Sequence, residues 1–173
     1  AAMLRWSLKQ PFPVVLRYAR GQAPTIGAPH DRDVTRGEVL REGKEATILA
    51  IGPIVSACLG AADKLAAAGI SVGVADARSV KPLDAALLEH LADTPIITVE
   101  ENAIEGGFGS AVLEFYEQRG RVQEVRLLRL GFPDRFMEHA TREEQLEEVG
   151  LSADGIYRSV CAFLGVQAPE PVK

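Results

Sequence analysis

Apolar and polar positions along this chain alternate between two periods, and each change of period marks an element. From residue 38 onward, short apolar runs of strand composition alternate with longer stretches whose apolar residues recur every three or four positions. Glu38, Val39, Leu40 and Arg41 have the pattern of an edge strand, and Glu42-Gly43-Lys44 turns the chain. Residues 46–51 form an almost continuous apolar run, as a strand covered on both faces requires. Gly52-Pro53 then opens a helix, with Pro suited to the first turn because its missing N–H is not needed there. Ile54, Cys58, Ala62 and Leu65 share one face of that helix, and Gly69 stands at its C′ position. Residues 71–77 supply the next strand, and Leu87, Leu88 and Leu91 the next helix. Ile96, Ile97, Thr98 and Val99 predict a buried, β-branched strand. It runs into Glu100, Glu101 and Asn102, then a turn with Gly106, Gly107 and Gly109, then a helix opened by Ser110 with Val112, Phe115 and Tyr116 as its apolar stripe. Residues 122–130 form the last strand, which Gly131-Phe132-Pro133-Asp134 breaks. Thr141 and Glu144 have capping-box spacing for a short acidic helix ended by Gly150, and a final helix covers residues 152–164. Strands alternating with helices predict an α/β fold, a mostly parallel sheet with helices on both faces.

The first 36 residues break this rhythm. Residues 1–9 have a helical pattern with Met3, Leu4 and Trp6 apolar, stopped by Pro11 and Pro13. Residues 14–18 read as a short apolar strand that leads into Arg17, Tyr18, Arg20 and Gly21. Residues 22–36 carry Gly, Pro, Asp, Thr and His without a period and are read as a linker. The main domain is then 37–165, and 166–173 a frayed tail.

Composition narrows the function classes. A net charge of -5 argues against nucleic acid or an anionic membrane as partner. No apolar run approaches the roughly 18 residues of a membrane span, and the N-terminal residues lack the apolar core of a signal peptide. Cys58 and Cys161 each sit in a helical apolar pattern and are read as reduced core residues of a cytoplasmic protein. The abrupt start is read as a piece of something longer.

Four groups carry possible chemistry. Gly107-Phe108-Gly109 is half of a dinucleotide-binding glycine motif and comes late in the domain, and no P-loop pattern occurs. The glycines are read as letting a helix approach its strand, with a partner surface or a substrate-adjacent loop as the alternative. The incomplete motif also argues against a generic nucleotide-binding module. Glu100 and Glu101 are consecutive, so in a strand they point to opposite faces and cannot make a facing carboxylate pair. One carboxylate is expected to bond a nearby loop and the other to be solvated. His30, His90 and His139 are isolated, without a second ligand at metal-like spacing. Arg17, Tyr18 and Arg20 crowd the end of a short apolar strand, where a planar guanidinium suits phosphate or carboxylate. A salt bridge across a domain boundary and phosphate recognition both remain open for them.

Five segments in register resemble the 1-deoxy-D-xylulose-5-phosphate synthase family. Leu16-Arg17-Tyr18-Ala19-Arg20-Gly21 is similar to its RYPRG signature, with Ala19 where the family has Pro. The others are Arg78-Ser79-Val80-Lys81-Pro82-Leu83-Asp84, Thr98-Val99-Glu100-Glu101-Asn102 with Gly106-Gly107-Phe108-Gly109-Ser110, Gly131-Phe132-Pro133-Asp134-Arg135-Phe136, and Gly150-Leu151 with Gly155-Ile156. His139-Ala140 stands where His-Gly is common in the family.

The resemblance covers residues 1–165 and is to the C-terminal part of a transketolase-like enzyme. It implies a three-layer α/β domain with a five-stranded, mostly parallel sheet and one antiparallel edge strand. It makes residues 1–21 the tail of a pyrimidine-binding domain and 37–165 a transketolase C-terminal-type domain. The implied enzyme is a cytoplasmic homodimer that uses thiamine diphosphate and magnesium. It condenses pyruvate with glyceraldehyde 3-phosphate, releasing carbon dioxide, and feeds isoprenoid, thiamine and pyridoxal synthesis. The family's Gly-Asp-Gly cofactor motif does not occur in this chain, so the resemblance implies that the cofactor is bound outside it, by an N-terminal part of the same enzyme. The chain alone is therefore expected to be inactive, and the alternative reading is a non-catalytic dimerisation or scaffold domain of another transketolase-type enzyme. Arg17 matches an arginine that binds the acceptor phosphate, with Arg20 as the alternative. Glu100, Glu101 and Asn102 are expected at a domain or dimer contact.

Overall fold

A computed structural model describes residues 2–18 and 33–167. The elements are α1 (Ala2–Ser7), β1 (Glu38–Arg41), β2 (Ala46–Ala50), a single 3-10 turn (Gly52–Ile54), α2 (Val55–Ala67), β3 (Val72–Asp76) and α3 (Ala85–Leu91). They continue with β4 (Ile96–Ala103), α4 (Phe108–Glu117), β5 (Leu127–Phe132), α5 (Arg142–Glu148) and α6 (Ala153–Leu164). The five strands form one sheet in the order β1-β3-β2-β4-β5, parallel throughout except for the edge pair β1–β3. This is the expected α/β architecture with its single antiparallel edge strand.

The layers follow from which side each strand residue faces. Ile48, Val74, Ile97 and Val99 pack with Cys58, Leu65, Ile156 and Val160, so α2 and α6 cover one face. Leu49, Ala75 and Ile96 pack with Leu88, Phe108, Val112 and Tyr116, so α3 and α4 cover the other. β2 is buried along its whole length, as its apolar run requires. Both cysteines are free and buried in the first of these cores. Burial also pushes the Cys58 thiol well above its ordinary range, which keeps it protonated and inert.

Because α2 follows β2 on one face while α4 follows β4 on the other, the order in which strands are added to the sheet reverses between these two neighbouring parallel strands. The carboxyl ends of β2 and β4 therefore border the crevice where open α/β sheets hold their ligands. Arg78 guards the adjacent end of β3. It adopts a left-handed φ of 57° and donates to the carbonyls of Asp33 and Arg36 and to the carboxylate of Glu38. Asp84 completes this joint: it caps α3 through Leu87 N–H (3.2 Å), accepts from Gly37 N–H (3.0 Å) and pairs with Arg36 (3.1 Å).

Four boundaries differ from the sequence reading, each for a tertiary reason. Residues 14–18 form no strand; Val15 and Tyr18 are exposed, and among the described residues no sheet edge receives them, so an extended segment finds no pairing partner there. β4 continues four residues past Val99, carrying Glu100 and Glu101 within the strand. β5 begins only at Leu127 and runs through Gly131 and Phe132 instead of breaking there, because Phe132 pairs with Ala103 and accepts from Ile104 N–H at 2.8 Å. α4 starts at Phe108, two residues before Ser110. The other helices match: α1 ends in the expected turn, and α5 has the full Thr141–Glu144 capping box. The expectations for Ala19, Arg20, Gly21, most of the linker and residues 168–173 lie outside the described residues.

Burial of Asp84 opposes its charge, but the Leu87 and Gly37 N–H groups and Arg36 outweigh it and hold the carboxyl below the usual range. A carboxyl depressed in the folded state stabilises above its unfolded pKa of about 3.9 and loses that stabilisation as pH falls through the lower folded value. Asp84→Ala is expected to cost about 1–2 kcal/mol at neutral pH, the size of a lost N-cap. In urea melts repeated at falling pH, the gap from the wild type narrows below the ordinary aspartate range; a gap that stays constant refutes the charge contribution.

Candidate functional site

The carboxyl end of β4 collects most of the residues singled out above. Consecutive residues of a strand face opposite sides, and Glu100 and Glu101 do so here. Glu100 turns toward α4 and is 1% exposed. Its carboxylate accepts from Phe108 N–H at 2.7 Å and Gly109 N–H at 2.8 Å, the first donors of α4. A helix N-terminus leaves such N–H groups unpaired and carries partial positive charge, so the site suits a buried carboxylate. Gly107, at the N-cap, makes this fit possible. A Cβ there would stand 2.3 Å from the Ala103 carbonyl oxygen and 2.4 and 2.6 Å from the two Glu100 carboxylate oxygens. Gly109 likewise lets α4 sit on β4, since its Cβ would meet Thr98 Oγ1 at 2.5 Å. Gly107 and Gly109 thus serve the close approach of helix to strand, while Gly106 takes a left-handed φ of 68° in open space. The Thr98 hydroxyl under Gly109 is buried without a hydrogen-bond partner.

Glu101 faces the other way and is not solvated, contrary to the sequence reading. Arg142, the first residue of α5, donates to its two carboxylate oxygens from Nε at 2.8 Å and Nη2 at 2.6 Å. Bidentate geometry of this kind is among the stronger charged contacts, and the Glu101 side chain is only 13% exposed. Glu101 raises the Arg142 guanidinium further above its ordinary value. Asn102 lies next, where its carbonyl oxygen comes within 3.0 Å of the position a Cβ on Gly131 would take. Arg129 closes the loop after β4, donating to the Ile104 carbonyl (3.1 Å) and to Ser110 Oγ (2.7 Å).

Arg17 reaches this end of the sheet from the segment that precedes β1. Its Nη2 donates to the main-chain carbonyl of Glu101 at 3.4 Å, and the side chain is exposed. The structure therefore brings together Arg17 and Glu101, while Glu100 is spent inside the domain and presents no carboxylate to a neighbour. Arg20 and His30 lie outside the described residues. His90 and His139 are exposed and separate, and among the described residues no three His, Cys, Asp or Glu side chains stand close enough to hold a metal ion. No described helix is long and apolar enough to cross a membrane. Sequence reasoning missed Arg142 and Arg129 as partners in this region, and Asp84 at the joint beyond β3. Only Asp84 carried a signal, as an N-cap residue before an apolar helical pattern.

Comparison with known proteins gives a consistent set of similarities. The family model described as transketolase, C-terminal domain, matches residues 35–156. A 1-deoxy-D-xylulose-5-phosphate synthase of Magnetococcus marinus is 44% identical over 167 residues, covering 94% of this chain and 27% of its own length. The synthase of Geobacillus thermodenitrificans is 44% identical over 148 residues, covering 82% of this chain and 23% of its own. The chain thus spans about a quarter of the length of these curated relatives. A solved structure described as a split-gene transketolase, an inactive beta4 tetramer, superposes with a TM-score of 0.75 at 35% identity, over 85% of this chain and 48% of that one. A transketolase from Campylobacter jejuni shares the fold, with a TM-score of 0.56 at 23% identity over 79% of this chain and 20% of that one.

Two substitutions test the internal role of Glu100. Glu100→Ala leaves two buried N–H groups without an acceptor and is expected to cost about 3 kcal/mol. Gly107→Ala should be destabilising to a similar degree, because its methyl group and the Glu100 carboxylate claim the same space. Denaturant midpoints at unchanged slope measure both, and a shift within error for either variant refutes the assignment.

Proposed function

Because the chain belongs to the transketolase C-terminal domain family, with 1-deoxy-D-xylulose-5-phosphate synthases among its relatives, we propose that it is the C-terminal part of such a synthase. The intact enzyme would condense pyruvate with glyceraldehyde 3-phosphate to 1-deoxy-D-xylulose 5-phosphate and carbon dioxide. The observation that carries this reading is 44% identity sustained over 94% of the chain. It includes the segment of Arg17, outside the 35–156 span of the domain model.

Thiamine diphosphate and magnesium do not fit this chain's own residues. No Gly-Asp-Gly occurs in the sequence, and the described residues bring together no set of three His, Cys, Asp or Glu side chains. On this reading the cofactor is held by the N-terminal part of the enzyme, which supplies the carbon–carbon chemistry, and this chain alone is inactive. The working state is a homodimer.

What this chain contributes is acceptor binding. Arg17 stands exposed at the carboxyl end of β4, with most of its guanidinium N–H groups free of the Glu101 contact. A guanidinium presents paired N–H groups that match two oxygens of a phosphate. Binding the phosphate there fixes the far end of the aldehyde, and remote binding energy of this kind orients the reacting carbon. Arg20 is the neighbouring alternative for the same role. Glu101 and Asn102 would lie at the contact between this domain and the preceding part of the enzyme.

Two measurements follow. In the assembled enzyme, Arg17→Ala raises KM for glyceraldehyde 3-phosphate about tenfold or more, the worth of a charge-assisted contact, and leaves KM for pyruvate unchanged. An equal rise for both substrates counts against the phosphate role. The isolated chain, given both substrates, thiamine diphosphate and magnesium, forms no product until the N-terminal part is added; turnover by the chain alone overturns the division of labour.

A further inference from the structure

The Glu101 carbonyl is free to meet Arg17 because the sheet is irregular at that point. β4 and β5 pair in register from Ile96–Leu127 to Val99–Leu130, and pairing resumes only at Ala103–Phe132. Glu100, Glu101 and Asn102 therefore stand opposite Gly131 alone. A bulge of this kind takes residues out of the ladder and re-aims their groups. Two side chains pin it on opposite faces: Glu100 is held by the start of α4, and Glu101 by Arg142 through two hydrogen bonds of 2.8 and 2.6 Å. Glu101, at the middle of the bulge, also carries the carbonyl that accepts from Arg17 Nη2. Arg142 thus anchors the side chain of the residue whose main chain touches Arg17.

We propose that Arg142 is a positioning residue for the acceptor phosphate: clamping Glu101 in the bulge aims its carbonyl at Arg17 and so sets the plane of the Arg17 guanidinium. The inference rests on the phosphate role given to Arg17 above. A guanidinium is rigid and planar, with five N–H donors. Holding one of them on a fixed carbonyl leaves four, including a pair on one edge, for the ligand. Without the clamp Arg17 keeps its charge but must be ordered at the moment of binding. That cost falls on acceptor binding alone. Lys at position 142 would keep the charge but could not grip both carboxylate oxygens in the same plane.

The test uses the assembled enzyme and two acceptors, glyceraldehyde 3-phosphate and unphosphorylated glyceraldehyde. Arg142→Ala is expected to raise KM for the phosphorylated acceptor about threefold to tenfold, the size of one lost orienting hydrogen bond. KM for pyruvate, kcat, and the rate with glyceraldehyde should hold. Glu101→Gln keeps the side-chain shape and weakens the same pair, so it should reproduce the selective rise even if Arg142→Ala folds poorly; Arg142→Lys should restore only part of the loss. The double variant Arg17→Ala/Arg142→Ala should be no worse than Arg17→Ala alone, since aiming an absent guanidinium has no value. If Arg142→Ala and Glu101→Gln leave the acceptor KM unchanged while Arg17→Ala raises it, the positioning role is overturned and the phosphate role stands. Equal losses with both acceptors, or additive losses in the double variant, also overturn it. An Arg17→Ala variant with an unchanged acceptor KM overturns both.

Discussion

A buried carboxylate at the start of a helix organises the junction between the end of β4 and α4. Glu100 is almost fully removed from water, so its charge must be met within the fold. The first N–H groups of α4 meet it, and they can do so only because Gly107 has no side chain to occupy the same space. This one contact fixes where β4 ends, where α4 begins and how closely the helix lies on the sheet. Gly109 over Thr98 and Arg129 against Ser110 and the Ile104 carbonyl complete the same junction.

The contact also determines what the neighbouring residue can do. With Glu100 committed to one face, the alternation of the strand sends Glu101 to the other, where α5 offers Arg142. The bulge that contains both residues takes the Glu101 main chain out of register with β5 at the carboxyl end of β4. Arg17 meets the domain at the Glu101 carbonyl. The residue that anchors α4 and the residue whose carbonyl meets Arg17 are thus adjacent in sequence and back to back in space. Within the glycine-rich turn, Gly107 and Gly109 leave out side chains so that a helix can close on a strand, whereas Gly106 supplies a left-handed φ of 68° in open space.

The second joint, around Arg78 and Asp84, plays a similar part at the end of β3. It ties residues 33–38, which lead into β1, to the carboxyl end of β3. Both joints lie at the carboxyl ends of the parallel strands, where a doubly wound sheet gathers its loops.

Much of the fold was legible from the sequence, because period and composition are local properties. The order of strands and helices, the capping box at Thr141, the buried cysteines and the opposite facing of Glu100 and Glu101 all follow from residues close in the chain. The antiparallel edge strand came from resemblance and not from period. What the sequence could not decide was every feature that depends on a distant partner. Residues 14–18 have strand composition but no strand beside them among the described residues; Gly131 has the look of a break but continues β5 because Ala103 is there to pair with its neighbour. Arg142 lies 41 positions from Glu101, and no spacing rule links them. A strand specifies which way its side chains face; only the packed sheet and helices decide which charges they find there.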